Sequence, residues 1–154
     1  ATEYNADGTT PTTSKDHVIG CTDGTSTYFE HETGLNQIKE GATTAIAANI
    51  ESGDFDIGQQ GLEGDGEFMM KIRRVIPDFL SQTGDAVITL NLRDFPNETQ
   101  ASSSLGPFTI TSGTKKIDTR ARARSISLKV ANTSTSQFWR LGTFRLDIQP
   151  DGRR

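Results

Sequence analysis

Cysteine, tryptophan and long apolar runs are almost missing from this 154-residue chain, and each shortage removes a class of protein. Cys21 stands alone, so no internal disulfide holds the fold, and its compartment is left open. No apolar run approaches the roughly 18 residues of a spanning helix and no signal-peptide pattern is present, so no membrane anchor is expected. The two histidines, His17 and His31, lie 14 residues apart. A zincin needs two one helical turn apart with Glu between them, so the EHE around His31 reads as a polar strand end. The motifs GxGxxG, GxxxxGK(S/T) and GxSxG are absent, and one Trp and two Tyr make a poor wall for a sugar cleft. Hence no enzyme, no cofactor and no catalytic residue is expected.

What the chain does have is unevenly distributed. The net charge is −4 and the pI about 5.1, which predicts no general affinity for nucleic acid. Yet residues 1–70 hold 13 Asp/Glu and 2 Lys, while residues 71–154 hold 14 Lys/Arg and 7 Asp/Glu. Surfaces of opposite sign on one chain suit self-assembly or a charged channel. Apolar content divides at nearly the same place. Val, Ile, Leu and Phe number 10 in residues 1–66 and 23 in residues 67–154. The first density is too thin for a private core, and the second supports a modest one. The expected division is therefore an arm or linker over 1–25, short strands and an acidic loop over 26–66, and a β-sandwich-like module over 67–154. The chain begins at Ala1 rather than Met, and the expectation is a piece of something longer.

Strand signals recur with turns between them and no long amphipathic helix intervenes. Ser26–Glu32, Thr44–Glu51, Phe55–Ile57, Glu67–Ile76, Ala86–Arg93 and Pro107–Thr111 each read as strands. In Glu67–Ile76, Phe68, Met70 and Ile72 share one face and Lys71, Arg73 and Val75 the other. Lys116–Ile148 reads as two long strands joined by the polar turn Ala131–Gln137. In the first, Asp118, Arg120, Arg122, Arg124, Ile126, Leu128 and Val130 alternate onto one face, with small residues on the other. In the second, Trp139 opens the strand, Phe144, Leu146 and Ile148 share a face, and Arg145 and Asp147 oppose them. Ile88, Leu90, Leu92, Ile126, Leu128, Phe144 and Leu146 form the expected core. The fold class is all-β, an antiparallel sandwich or barrel-like module with an irregular acidic N-terminal arm.

Two clusters invite chemistry. Asp54, Asp56, Glu63, Asp65 and Glu67 offer oxygens for calcium, but their spacing misses the EF-hand loop and a solvated acidic loop is the preferred reading. Arg120, Arg122 and Arg124, about 6.5–7 Å apart on a strand, could track a phosphate backbone. They could equally pair with carboxylates of this or a neighbouring subunit, and the acidic half of the chain favours that. With them, Trp139 and Arg145 are the expected interface residues.

The stretches TYFEHETG, AANIESGDFDIG, RRVIPDF, GPFTITSGTKKIDTRARARS and FWRLGTFRLDIQPDGRR occur in that order over residues 26–154. They resemble the C-terminal region of large virion proteins of short-tailed phages, of the tail nozzle or hub type. Two departures stand out: Ala123 where the pattern tends to Gly, and a longer acidic loop over Gln59–Gly66. The resemblance implies a structural component of the phage tail, located in the virion and arranged as a homo-oligomeric ring, sixfold by expectation, around a DNA channel. Its neighbours would be other tail proteins such as the adaptor or portal, with DNA passing transiently, and a β-propeller-like body would precede the present segment. A decoration or host-glycan adhesion module is the alternative.

Overall fold

Alternation of Ile88, Leu90 and Leu92 with Thr89, Asn91 and Arg93 predicts a half-buried strand, and that strand lies inside the larger sheet of the molecule. The computed structural model describes residues 34–39, 41–58, 66–95, 101 and 103–153. The expectations for residues 1–25, for Ser26–Glu32 and for the acids Glu63 and Asp65 lie outside them. The strands among the described residues are β1 (Asn36–Lys39), β2 (Ala42–Ala45), β3 (Asn49–Glu51), β4 (Phe68–Ile76), β5 (Phe79–Thr83), β6 (Ala86–Arg93), β7 (Ser103–Ile110), β8 (Ile117–Ala123), β9 (Ser125–Ala131), β10 (Phe138–Leu141) and β11 (Arg145–Arg153). No helix occurs among the described residues.

Two compact units divide the chain. The smaller contains the β1–β2 hairpin and residues 134–136. There Asn36 donates from Nδ2 to Ser136 Oγ at 3.2 Å and accepts from the Ser136 amide at 2.5 Å. The larger contains β3 to β11. Its four-stranded antiparallel sheet runs β3-β9-β6-β7, and its three-stranded sheet runs β11-β4-β8. Both contribute to one buried cluster, in which Met70, Ile72, Val75, Ile88, Leu90, Ile110, Ile126 and Val130 are wholly inaccessible. The ribbon β10-β5 packs Phe79, Trp139 and Leu141 against its margin. The fold is all-β and sandwich-like, and its sheets do not close into a barrel.

The expected central strand differs in an instructive way. It breaks at Arg124, placing β8 in one sheet and β9 in the other. Across the break the inward phase shifts: Ile117, Thr119, Ala121 and Ala123 point into the core from β8, then Ile126, Leu128 and Val130 from β9. The arginines and the aliphatics share parity but not a face, because a chain that crosses from one layer to the other must turn its other side to the core. The small residues are thus core residues. Ala123 and Ala121 lie opposite Met70 and Ile72, so large and small side chains match across β8 and β4. The expected second long strand also divides. Its halves, β10 and β11, pair with β5 and β4, so no hairpin joins them to β9. At the division Gly142 donates to the Asp78 carbonyl at 2.8 Å, and a Cβ there would come within 2.9 Å of that oxygen.

Smaller shifts have local causes. A register change between Ile72 and Arg74 turns Val75 inward, against its expected grouping with Lys71 and Arg73. The stretch Thr44–Glu51 is broken at residues 46–48, leaving Ile46 and Ile50 about half exposed. Phe55 makes a single bridge to Ile126, and Ile57 is buried. Of the expected core, Ile88, Leu90, Ile126 and Leu128 are buried, while Leu92, Phe144 and Leu146 pack partly buried against them. Truncating Leu90 to Ala should cost about 2–5 kcal/mol in urea unfolding. Enlarging Ala121 to Leu should cost about 1–3 kcal/mol by overpacking the β4–β8 layer. A neutral A121L would contradict the inward placement of β8's small residues.

β3 is short and exposed, and polar contacts hold it. The Glu51 carboxylate accepts from Ser127 Oγ at 2.8 Å and from Asn91 Nδ2 at 2.6 Å. Ser52 donates to the Leu128 carbonyl at 2.9 Å, and Phe55 exchanges two 3.0 Å backbone bonds with Ile126. The Ser127 bond first, then Asn91, with Lys129 and Arg93 nearby, holds the Glu51 carboxyl below its ordinary 4.5. A lowered native value means that this contribution is complete above the ordinary range and is lost as pH falls through the native value. Stability measured against pH should therefore differ between wild type and Glu51→Gln at neutrality, and the gap should shrink as pH falls below the ordinary carboxylate range. A constant gap would assign the effect to shape, not charge.

Candidate functional site: a cationic outer sheet face

Register decides which charges meet on the outside of the β11-β4-β8 sheet. With Ile72 and Ala121 pointing inward, their neighbours Lys71 and Arg122 face outward directly opposite one another, and Arg74 lies opposite Asp118. Like charges in direct opposition are unfavourable, so this face needs anions from elsewhere. Part of that need is met within the chain. Asp118 accepts from Lys116 Nζ at 2.9 Å and from Arg74 Nε at 3.0 Å, and these two bonds hold its carboxyl below the usual range. Asp151 of β11 accepts from Arg122 Nε at 2.5 Å through its carboxylate and from Arg122 Nη2 at 3.2 Å through its carbonyl. Arg153 lies 3.1 Å from Glu67 and stacks 4.6 Å over the Phe68 ring.

The rest is unmet. Lys71, Arg73, Arg74, Asp118, Thr119 and Arg120 line a shallow depression of about 420 Å³. Its one carboxylate is already shared by Arg74 and Lys116, and the side chains of Lys71, Arg73 and Arg120 make no hydrogen bond or ion pair with any described residue. Three cations thus share one concave patch without a counter-charge among the described residues, an arrangement that concentrates anions.

No protein-family model matches the chain, and no curated protein matches it. The assignment of a role therefore rests on residues and geometry.

The five residues expected at an interface occupy different places. Arg120 lies exposed in the depression, and Arg122 is exposed but held by Asp151. Arg124 is half-buried in the bend between β8 and β9. Its amide donates to the Arg93 carbonyl at 3.1 Å, its Nε to the Asp94 carbonyl at 3.1 Å, and its Nη1 to the Gly66 carbonyl. It is a corner clamp, so the three arginines do not form one row. Trp139 is half-buried with its ring edge-on to Phe79, centroids 6.5 Å apart. Arg145 is exposed at the start of β11, opposite Ile76. Lys71, Arg73 and Arg74 were missed. Their signal was the alternation of Lys71 with Arg73, but only the β4–β8 pairing brings them beside Arg120. Of the acids proposed for calcium, Asp54 bonds Arg93 at 2.6 Å, and no cluster of three His, Cys, Asp or Glu occurs among the described residues.

These placements separate two arginines by consequence. Arg124→Ala removes charged hydrogen bonds from the corner and should cost about 2–3 kcal/mol in chemical unfolding. Arg122→Ala removes a surface pair and should cost less than about 1 kcal/mol. Equal losses would contradict the clamp assignment.

Proposed function

We propose that this chain is a structural component of a phage virion, a ring-forming module of the tail nozzle or hub type. Its basic outer face would meet carboxylates of the neighbouring chain. The observation that carries this is the patch of Lys71, Arg73 and Arg120, cationic and unpaired among the described residues, in a chain whose first 70 residues hold 13 acids. A ring is closed by heterologous contacts, one surface against a different one, and opposite charge on two regions of one chain suits that geometry. Three of the stretches that carry the resemblance lie in strands and corners of the sandwich. RRVIPDF spans the β4–β5 link, GPFTITSGTKKIDTRARARS runs from β7 into β9, and FWRLGTFRLDIQPDGRR covers β10 and β11. Other tail proteins such as the adaptor or portal, and transient passage of DNA, belong to the same reading. The alternative, a decoration or glycan-adhesion module, draws on the exposed rings of Phe95 and Phe138.

The test replaces Lys71, Arg73 and Arg120 together with Gln. Light scattering and electron microscopy should show loss of oligomers, with the melting temperature and DNA affinity unchanged. Normal rings from this variant would overturn the reading. Intact rings with weakened, less salt-sensitive DNA binding would instead place the face toward the channel.

A further inference from the structure

Among the described residues the sandwich has three long strands with one side unpaired, and they are not alike. β7 carries Pro107, and its register against β6 shifts between Ile88 and Leu90. β11 carries Pro150 and shifts twice against β4. Proline donates no amide, and irregular register spoils a template, so both edges are blunted. β8 contains neither proline nor glycine, and among the described residues no strand is hydrogen-bonded on its side away from β4. Its register against β4 shifts once, between Ala121 and Asp118, yet burial alternates without a break from Ile117 to Ala123. The strand stays extended.

Charge is what guards this edge. Asp118, Arg120 and Arg122 project outward at alternate positions, with Lys71 and Arg73 behind them on β4. Among the described residues only Asp118 and Arg122 of this row are paired. Such a row repels a second β8 or any basic strand, which is the usual device against edge-to-edge pairing. The same row attracts an incoming strand with carboxylates at alternate positions. Their Cβ atoms would come within about 4.5–5.5 Å of those of Arg120 and Arg122 if paired directly across the edge.

The chain already contains one joint of this kind. Residues 51–55 lie along the edge of β9, held by backbone bonds from Ser52 and Phe55. Their carboxylates grip the sheet's outer polar groups, Glu51 on Ser127 and Asn91, Asp54 on Arg93. We infer that the free edge of β8 accepts an extended polypeptide strand with carboxylates at every second residue, supplied by a second copy of this chain. The strand's backbone pairs with β8, and its acids meet Arg120 and its cationic neighbours. For the source of that strand the inference rests on the assembly reading above, and for the edge it does not. Residues 1–70 supply acids two apart, as in Glu30-His31-Glu32.

The experiment uses the whole chain, diluted until light scattering reports a monomer, and a synthetic peptide of residues 26–34, STYFEHETG. Amide hydrogen exchange should slow about tenfold or more over Ile117–Ala123 at saturating peptide, with β7 unchanged. A peptide carrying Glu30→Gln and Glu32→Gln should give no slowing, and neither should the Arg120→Glu chain, whose unchanged melting temperature shows that it folds. Equal slowing by both peptides, no slowing by either, or protection on β7 or β11 instead of β8 overturns the inference. So does a short DNA duplex that displaces the peptide and is itself weakened by Arg120→Glu, which reassigns the patch to phosphate. Rings that form while β8 ignores the peptide sink the edge and leave the assembly reading intact. Peptide protection in a chain that never assembles does the reverse.

Discussion

One continuous segment, Ile117–Ala131, serves both layers of the sandwich, and the rest of the larger unit is arranged to permit it. A strand that changes sheets must present opposite sides to the same core before and after the crossing. The residue at the crossing, Arg124, joins three parts of the chain through the carbonyls of Gly66, Arg93 and Asp94. Its amide and guanidinium satisfy acceptors that a sharp corner would otherwise leave to water. The small inward residues of β8 follow from the same geometry. On the inner face of that sheet Ala121 and Ala123 leave room for Ile72 and Met70, their partners on β4.

Because Ile117, Thr119, Ala121 and Ala123 take the inward positions of β8, its charged side chains all face out, and two of the three, Arg120 and Arg122, are basic. β4 adds Lys71, Arg73 and Arg74 to the same side. The molecule offsets part of this charge by local pairing, through Asp118 and Asp151, and leaves the centre of the face cationic. Packing inside and charge outside are therefore one consequence of a single strand's pattern. The thin core explains why so much of the surface must be useful in other ways: β3 is held by a carboxylate and by backbone bonds, not by apolar burial.

Period-two alternation made most of the larger unit legible from the sequence. β6 follows the expected bounds Ala86–Arg93, β4 begins within one residue of its expected start, and the all-β class follows from the absence of helical periodicity. The phase change at Arg124 was not legible, since parity continues unbroken through RARARSISLKV and only tertiary placement tells a crossing from a long strand. Partnering was also hidden. A polar turn such as Ala131–Gln137 reads as a hairpin connection, whereas β9 pairs with β3 and β6. Candidate site residues were found in part for the same reason. Arg120 was visible on its own strand, but its neighbours Lys71 and Arg73 lie 47 or more positions away in the sequence and become neighbours only through the β4–β8 register.

A single exposed ion pair stabilises a contact by about 0–1 kcal/mol, so the cationic face alone cannot hold two chains together firmly. Three such pairs made together fall short of micromolar association once the freedom lost on binding is counted. Firm assembly on this face needs a second contribution. The unpaired amides and carbonyls of β8 offer one, because strand addition supplies several directional bonds in fixed register. Ring closure offers another, since each subunit is then held on two sides and every contact after the first is made at high effective concentration. In the proposed assembly charge would choose the partner, and the backbone and the symmetry would supply the strength. That division fits a face whose cations are placed beside the one long strand edge, among the described residues of the larger unit, that carries no proline.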